Sequence, residues 1–379
     1  MGNIKRIISS EPLPQTIQAI VLEKPEKLTC KEIPLWPLLD YNDDELVLVK
    51  VKSCGLCGSD LRYYLGENPW GQHTLGKYIP NPPNIVLGHE FSGEVVAVID
   101  PGLRELLGKR VAPICSKVCG HCFYCKHGME NLCPETVHIG HGQGWGERDY
   151  FPGAYAEYVP VWAKSCYEIS DSMSWETAAM MDLLAVGCHV ARRGNIKPEM
   201  PIMIIGAGPV GNSIIQVANI LGAGRVIILD QAEIPLTLAA KAGADFILDS
   251  RELSHSEIID LVLRTTEGVL PASIFDTVGT KKSFDLGIRL LGKAGTYVNV
   301  AVHDLNLDVN SMSIASEKTI TSSCNFDVID YEDTLRWLEE GRIKVDDWIH
   351  RISLQDVPYI FPRLIQDQKK DIFKVCINF

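Results

Sequence analysis

Four cysteines crowd one short polar stretch. Cys119, Cys122, Cys125 and Cys133 form C-x2-C-x2-C-x7-C among Gly, His, Lys and Asn residues. Four thiolates converging on such a loop build a closed tetrahedral zinc site with no position left for substrate, so its role would be structural. An iron–sulfur cluster is the other metal centre that this spacing allows. His121 and His127, inside the loop, are expected in solvent, and Cys115 in the core. A second group is dispersed: Cys57 closes a C-x-x-C with Cys54, and His89 follows 32 residues later with Glu90 beside it. A thiolate, an imidazole and a carboxylate suit zinc with an exchangeable position. Two plainer readings compete. Cys54 and Cys57 could be a redox pair, although no thioredoxin-like βαβ unit follows them, and His89 could be an ordinary structural histidine. Asp182 stands in the apolar run 178–187, where a carboxylate is tolerated only with a metal, a hydrogen-bond donor or a helix-capping role.

The third constellation is Gly206-Ala207-Gly208-Pro209-Val210-Gly211. It directly follows an apolar run and opens a helical pattern, the context that a dinucleotide fingerprint requires. Gly206 permits the tight turn, Gly208 lets the backbone approach a pyrophosphate, and Gly211 lets helix and strand pack closely. The helix start at Pro209 and Val210 adds N–H groups and a partial positive charge. Asp230, 24 residues after Gly206 and at the end of the next apolar run, would accept the ribose hydroxyls and repel a 2′-phosphate. That favours NAD over NADP. A strand-terminal Asp that caps a helix is the plainer alternative.

The elements that must hold these residues divide the chain in two. Residues 1–182 alternate short apolar runs, such as 46–51 and 91–99, with Gly and Pro punctuation, which predicts a β-rich domain. From 183 the pattern becomes strand 201–205, helix 210–221, strand 225–229, and then further alternation through 246–248, 258–264, 273–275, 284–291 and 296–300. This predicts an α/β doubly wound parallel sheet, a Rossmann cofactor domain over 183–316. Residues 317–379 turn mixed again, with a helix over 331–340 stopped at Gly341, and are assigned to the C-terminal part of the first domain.

Composition bounds the rest. The 379 residues carry 48 acidic and 36 basic side chains, a net charge of -12, which disfavours nucleic acid and anionic membranes as partners. A myristoylation signal would need Ser or Thr where Arg6 stands, and no signal core or membrane-length apolar run is present. A cytoplasmic location is expected. Twelve cysteines in a chain of this size do not suggest the disulfide framework of a small secreted scaffold.

In order, Gly55-Leu56-Cys57-Gly58-Ser59-Asp60, Gly88-His89-Glu90, the four-cysteine lobe and Gly206–Gly211 resemble the zinc-containing medium-chain dehydrogenases, above all the sorbitol and threonine enzymes, over most of the chain. The resemblance implies a GroES-like fold for the first domain and a small-molecule alcohol as substrate. It further implies two zinc ions per chain, one catalytic and one structural, with NAD as cofactor, in a homo-oligomer. It makes Cys57 and His89 catalytic zinc ligands, Glu90 a carboxylate ligand or switching partner, and Asp60 the acceptor that fixes the tautomer of His89. Asp182 falls where the sorbitol enzymes have Glu and the threonine enzymes Asp, a further candidate ligand. Ser59 takes the first position of a proton relay, Tyr63 a substrate-side position, and Val300 and Val302 places facing the nicotinamide ring. Three positions depart from the family pattern. Arg62 stands where many relatives have a relay His, Pro235 where many have a basic residue near the adenosine, and Asn325 where polyol enzymes often have Arg. Arg62 is always charged and cannot serve as a base, which leaves it to contact cofactor or substrate, with water or Glu90 carrying the proton.

Two stretches are long against that pattern, 66–84 with Trp70, His73 and Tyr78, and 137–153 with Trp145, Glu147, Arg148 and Tyr150. They could wall a cleft for a hydroxyl-rich substrate or serve as surface or subunit-contact loops. The activity expected is hydride transfer from a secondary alcohol of a polyol, sugar or cyclitol to NAD. The rivals are a threonine-type 1,2-amino alcohol dehydrogenase and a non-catalytic NAD- and zinc-binding protein.

Overall fold

The computed structural model describes residues 7–41, 43, 45–69, 79–141, 150–301, 303, 306–367 and 371–379. Trp70, His73, Tyr78, Trp145, Glu147, Arg148 and Val302 lie outside them. The chain forms two compact units: Met1–Asp182 with Ile349–Gln366 and Lys374–Phe379, and Leu183–Trp348 with Asp367–Phe373. Residues 317–348, expected with the first domain, therefore pack in the second, because Thr319–Ser322 adds a parallel strand to its sheet.

In the first unit the Leu46–Gly55 strand is the axis of a sheet of eight strands among the described residues. Leu46 to Val49 and Val51 are buried without alternation, the pattern of a strand covered on both faces. It pairs antiparallel with Glu90–Val98, Tyr158–Trp162 and Lys374–Asn378. Register then gathers the chemistry. Gly55 lies opposite both Glu90 and Cys376, so Cys57, His89, Glu90 and Lys374 meet at one strand end although the sequence scatters them. A Cβ at Gly55 would collide with Glu90 Oε2, so a larger residue there would displace that carboxylate. Two short helical turns shape the four-cysteine lobe: Phe123–Lys126 carries Cys125 and is preceded by Cys122, Glu130–Leu132 is followed by Cys133, and a ribbon pairing Ser116–Lys117 with Val137–His138 closes the lobe.

Among the described residues the second unit holds a six-stranded parallel sheet, ordered Phe246–Asp249, Val226–Asp230, Ile202–Ile205, Ser273–Asp276, Thr296–Asn299, Thr319–Ser322. In chain order this is 3-2-1-4-5-6, the doubly wound arrangement whose ligand crevice opens where the order reverses. Met203, Ile227, Ile274 and Tyr297 are buried in its core with Phe284 and Leu290 of the Lys281–Leu290 helix, each contributing about 1.5–3 kcal/mol of apolar burial. The expected 331–340 helix runs Val328–Glu339, and Gly341 takes the positive φ of 70° that ends it.

Candidate active site

Cys57 is extended, the residue before the Gly58–Tyr64 helix. Asp60 Oδ2 anchors it by accepting the Cys57 N–H at 2.9 Å and also accepts the Tyr155 hydroxyl at 2.8 Å. Both interactions leave Asp60 Oδ1 facing His89 Nδ1 at 3.7 Å, and among the described residues neither of these two buried atoms has another partner. The pair is aligned but longer than a hydrogen bond. With Nδ1 turned to Asp60, Nε2 is the ring atom left for a metal. Cys57, His89 and Glu90 each offer a ligand atom, and these atoms lie within 4.8 Å of one another.

Electrostatics suit a cation. Burial disfavours a charged His89, but the charges of Asp60, Cys57 and Asp182 outweigh it and push its pKa up to about 10. Burial raises Asp60 as well, and raises Asp182 to about 6. Buried Asp60 and Glu90, with half-buried Asp182 and Cys57, thus put acidic groups around His89, an arrangement that is costly until a positive ion balances it. One resident cation is Lys374, which sequence reasoning missed. It is 5% exposed, donates to Leu56 O at 2.9 Å and forms an ion pair with Glu90 Oε2. Burial opposes its charge, yet Glu90 and Cys57 raise its pKa.

The four-cysteine lobe carries a separate donor set. Cys122 Sγ lies 3.5 Å from Cys125 Sγ and 4.0 Å from Cys133 Sγ, and Cys119 Sγ lies 3.9 Å from Cys125 Sγ. These distances are far beyond a disulfide and close to the roughly 3.8 Å edge of a tetrahedron with zinc–sulfur bonds of about 2.3 Å. Backbone N–H groups of Cys122 and Cys125 point at the sulfurs of Cys119 and Cys122, at 3.3 and 3.5 Å.

In the second unit, Gly206 has φ 99°, and a Cβ there would strike Thr277. A Cβ on Gly211 would strike Gly206 O, whereas nothing lies within 4 Å of the Cβ position at Gly208. Gly208 therefore leaves open the side from which a phosphate can approach the Pro209–Ile220 helix. Asp230 Oδ2 accepts the Ala207 N–H at 2.6 Å, and Oδ1 accepts those of Gln231 and Ala232 at 2.6 and 2.9 Å. Asp230 lines a cavity of about 610 Å³ with Arg251, Ser254, His255 and Lys282, a size suited to part of a dinucleotide. Val300 N–H donates to Asp276 O at 2.9 Å, just beyond the Thr296–Asn299 strand.

Residues 43–171 match the alcohol dehydrogenase GroES-like domain family, and residues 209–340 the zinc-binding dehydrogenase family. Sorbitol dehydrogenase of Bacillus subtilis is 34% identical over 78% of this chain and 77% of its own length. The chain belongs to the zinc-binding medium-chain dehydrogenases. An L-threonine 3-dehydrogenase of Francisella tularensis subsp. mediasiatica is 32% identical over 68% of this chain and 65% of its own. A solved structure of an Escherichia coli CFT073 alcohol dehydrogenase complexed with NADH superposes with a TM-score of 0.82 at 27% identity, covering 97% of this chain and all of that one. The protein is accordingly a zinc-dependent dehydrogenase of the alcohol dehydrogenase type.

Around the metal-competent group of this dehydrogenase, other expected residues take varied places. Asp182, in the first turn of the Met181–Arg193 helix, is not among the three converging ligands; its Oδ1 accepts Cys115 Sγ at 2.9 Å. Ser59 is half-buried in the first turn of the Gly58–Tyr64 helix. Arg62 Nε donates to Glu67 at 2.7 Å. Tyr63 is buried at 1% exposure, with its hydroxyl donating to Asn68 at 3.4 Å and its ring edge-on to His141, 5.0 Å between centroids. His138 and His141 also escaped sequence reasoning. Their rings crowd His89 at 5.9 and 4.6 Å, and each Nδ1 faces Ile139 O, at 3.2 and 3.0 Å. The signal was two histidines in one apolar stretch, 137–141, which local pattern alone does not connect to His89. Among the described residues no helix is long and apolar enough to cross a membrane.

Proposed function

We propose that this dehydrogenase oxidises a secondary alcohol of a polyol, sugar or cyclitol with NAD, at a catalytic zinc held by Cys57, His89 and a carboxylate. The convergence of Cys57, His89 and Glu90 ligand atoms within 4.8 Å carries the proposal. When bound, zinc lowers the pKa of a substrate hydroxyl and NAD accepts the hydride. Asp60 orients His89, and Lys374 fixes Glu90. Ser59 takes the hydroxyl proton first. Arg62, tied to Glu67, offers only donors and relays no proton. Tyr63, expected on the substrate side, is buried and acts through its contacts with Asn68 and His141. The four cysteines hold a second, structural zinc. Gly206, Gly208, Pro209, Val210 and Gly211 seat the pyrophosphate, Asp230 takes the ribose hydroxyls and disfavours NADP, and Val300 borders the nicotinamide.

The relative named sorbitol dehydrogenase, whose substrate is hydroxyl-rich, supports a polyol-like substrate. Asp182 and the threonine dehydrogenase relative favour a second reading, a 1,2-amino alcohol. We further propose the cytoplasmic location that the sequence suggests, and a homo-oligomer, since the edge strand Thr319–Ser322 leaves Ile320 39% exposed and such an edge readily pairs. Zinc-loaded protein would be offered polyols, cyclitols and threonine with NAD or NADP while NADH or NADPH absorbance is followed. Faster turnover of a polyol or cyclitol with NAD is expected. Preference for threonine would replace the substrate class, and no turnover of any alcohol together with one zinc per chain would leave a binding protein.

A further inference from the structure

Two side chains hold the turn that carries the glycine fingerprint. One is Asp230, whose Oδ2 accepts the Ala207 N–H at 2.6 Å. The other is Asn212, fully buried in the Pro209–Ile220 helix. Its Nδ2 donates to Ala207 O at 2.6 Å and reaches Gly208 O at 3.5 Å. A carbonyl can only accept, so the amide must turn its nitrogen toward both. That leaves Asn212 Oδ1 buried with no hydrogen-bond partner among the described residues. An apolar residue would fill this place without stranding an acceptor, a cost that protein interiors normally avoid. What asparagine alone supplies there is the donor to Ala207 O.

That donor decides how the turn faces. A trans peptide puts its C=O and its N–H on opposite sides, and Ala207 joins two such units. With the Ala207 N–H taken by Asp230, Gly206 O is turned the other way, against Gly211, where a Cβ would strike it. With Ala207 O taken by Asn212, the Gly208 N–H is turned away from the helix face that buries Asn212. Glycine on either side of Ala207 makes these peptide planes easy to flip, so the hydrogen bonds select one orientation. The Asn212 N–H closes the first helical bond on Gly208 O at 2.9 Å. The N–H groups before it, of Gly208, Val210 and Gly211, are those that a helix start leaves for an anion, and Pro209 brings none. With one donor missing at Pro209, the direction of the Gly208 N–H matters more.

We infer that Asn212 is a positioning residue for cofactor binding: its side-chain amide pins the Ala207–Gly208 peptide so that the Gly208 N–H faces the pyrophosphate. This rests on the NAD assignment made under the proposed function. Asp230 and Asn212 then grip one residue from its two polar ends, which couples the ribose side of the site to the phosphate side.

Asn212→Leu keeps a similar volume and removes the amide. NADH affinity would be read by nicotinamide fluorescence, and the affinities of ADP-ribose and adenosine by displacement of NADH. NADH and ADP-ribose share the pyrophosphate and should bind about tenfold more weakly, the worth of one hydrogen bond, whereas adenosine lacks it and should change less than about twofold. The KM for NAD should rise with kcat at saturating NAD unchanged, the mark of lost ground-state binding. Parental NADH affinity in Asn212→Leu would overturn the inference. Equal weakening of adenosine would overturn it too, since Asn212 would then only support the fold of the second unit. If Asn212→Leu fails to fold, Asn212→Ala, which removes the amide without adding bulk, is held to the same outcomes. A parental protein that binds neither NADH nor ADP-ribose would instead overturn the NAD assignment itself.

Discussion

Replacing Lys374 by Met tests whether the site is organised around buried charge. Lys374 and Glu90 are 5% and 1% exposed and form an ion pair, with the ammonium also bonded to Leu56 O. Met matches the aliphatic stem, so packing changes little and the lost term is electrostatic. Breaking a buried pair from one side leaves an uncompensated charge and costs about 3–5 kcal/mol. For a unit of this size each kcal/mol lowers the melting temperature by roughly 2–4 °C, so Lys374→Met should melt about 6–20 °C below the parent. Adding Glu90→Gln removes the stranded carboxylate and should recover a large part of the loss, a coupling of about 2 kcal/mol or more. Thermal unfolding of the four proteins of this cycle, zinc-loaded and after chelation, supplies the numbers. The loss should be larger after chelation, when no divalent ion shares the charge of Glu90. If Lys374→Met melted within about 2 °C of the parent, or if Glu90→Gln cost as much in its presence as in its absence, the electrostatic account of the site would fail.

Three other outcomes are expected. Cys122→Ser should lower zinc content from two ions per chain to one and expose the 116–138 segment to protease, and the parent should lack the visible bands of an iron–sulfur cluster; coloured protein containing iron would contradict this. Asp230→Ser should lower the preference of kcat/KM for NAD over NADP by about tenfold or more, the scale of a 1.4 kcal/mol interaction; an unchanged ratio would remove Asp230 from cofactor choice. Asp330, buried in the second unit, accepts from His189 at 2.7 Å, Arg192 at 2.6 Å and the Asp327 N–H at 3.0 Å. Burial raises its pKa, but those donors outweigh burial and hold it below the ordinary 3.8. A carboxyl depressed on folding stabilises above its unfolded pKa and loses that contribution as pH falls through its folded pKa. Asp330→Asn should therefore cost about 2 kcal/mol or more at neutral pH, with the difference from parent shrinking below pH 3.8; a gap independent of pH in urea unfolding would refute the charge-based explanation.

What the chain discloses before folding depends on how local the chemistry is. Gly206–Gly211 is legible because one turn dictates all three glycines, and the structure supplies the φ of 99° at Gly206 and the clear space at Gly208 that the pattern demands. The four cysteines are legible for the same reason, since both short helical turns of their lobe lie between Cys119 and Cys133. The strand Thr319–Ser322 was not. It is a polar, largely exposed edge, so no apolar run marks it, and its place is decided by pairing with Thr296–Asn299.

Cys57 and His89 occupy a middle position. They are far apart in the chain, and only the antiparallel register of Gly55 with Glu90 makes them neighbours. Motif order points to both, but nothing in either segment states that they meet. Lys374 carries this further, since it enters through a strand from the far end of the chain, paired at Cys376 with Gly55. An isolated Lys before an apolar strand reads as a solvated flank; it becomes a buried cation only because Glu90 and Leu56 O are already there to receive it. The same holds for Cys115. In the sequence it is one more apolar-compatible residue beside a metal lobe, and its thiol meets an acceptor only after tertiary closure brings Asp182 within reach. Ligand types can be written into short motifs, whereas the groups that orient ligands are selected by the space the fold leaves around them. The departures of this chain from its relatives should therefore be sought in that surrounding layer, at His138, His141 and Arg62, before they are sought among the ligands.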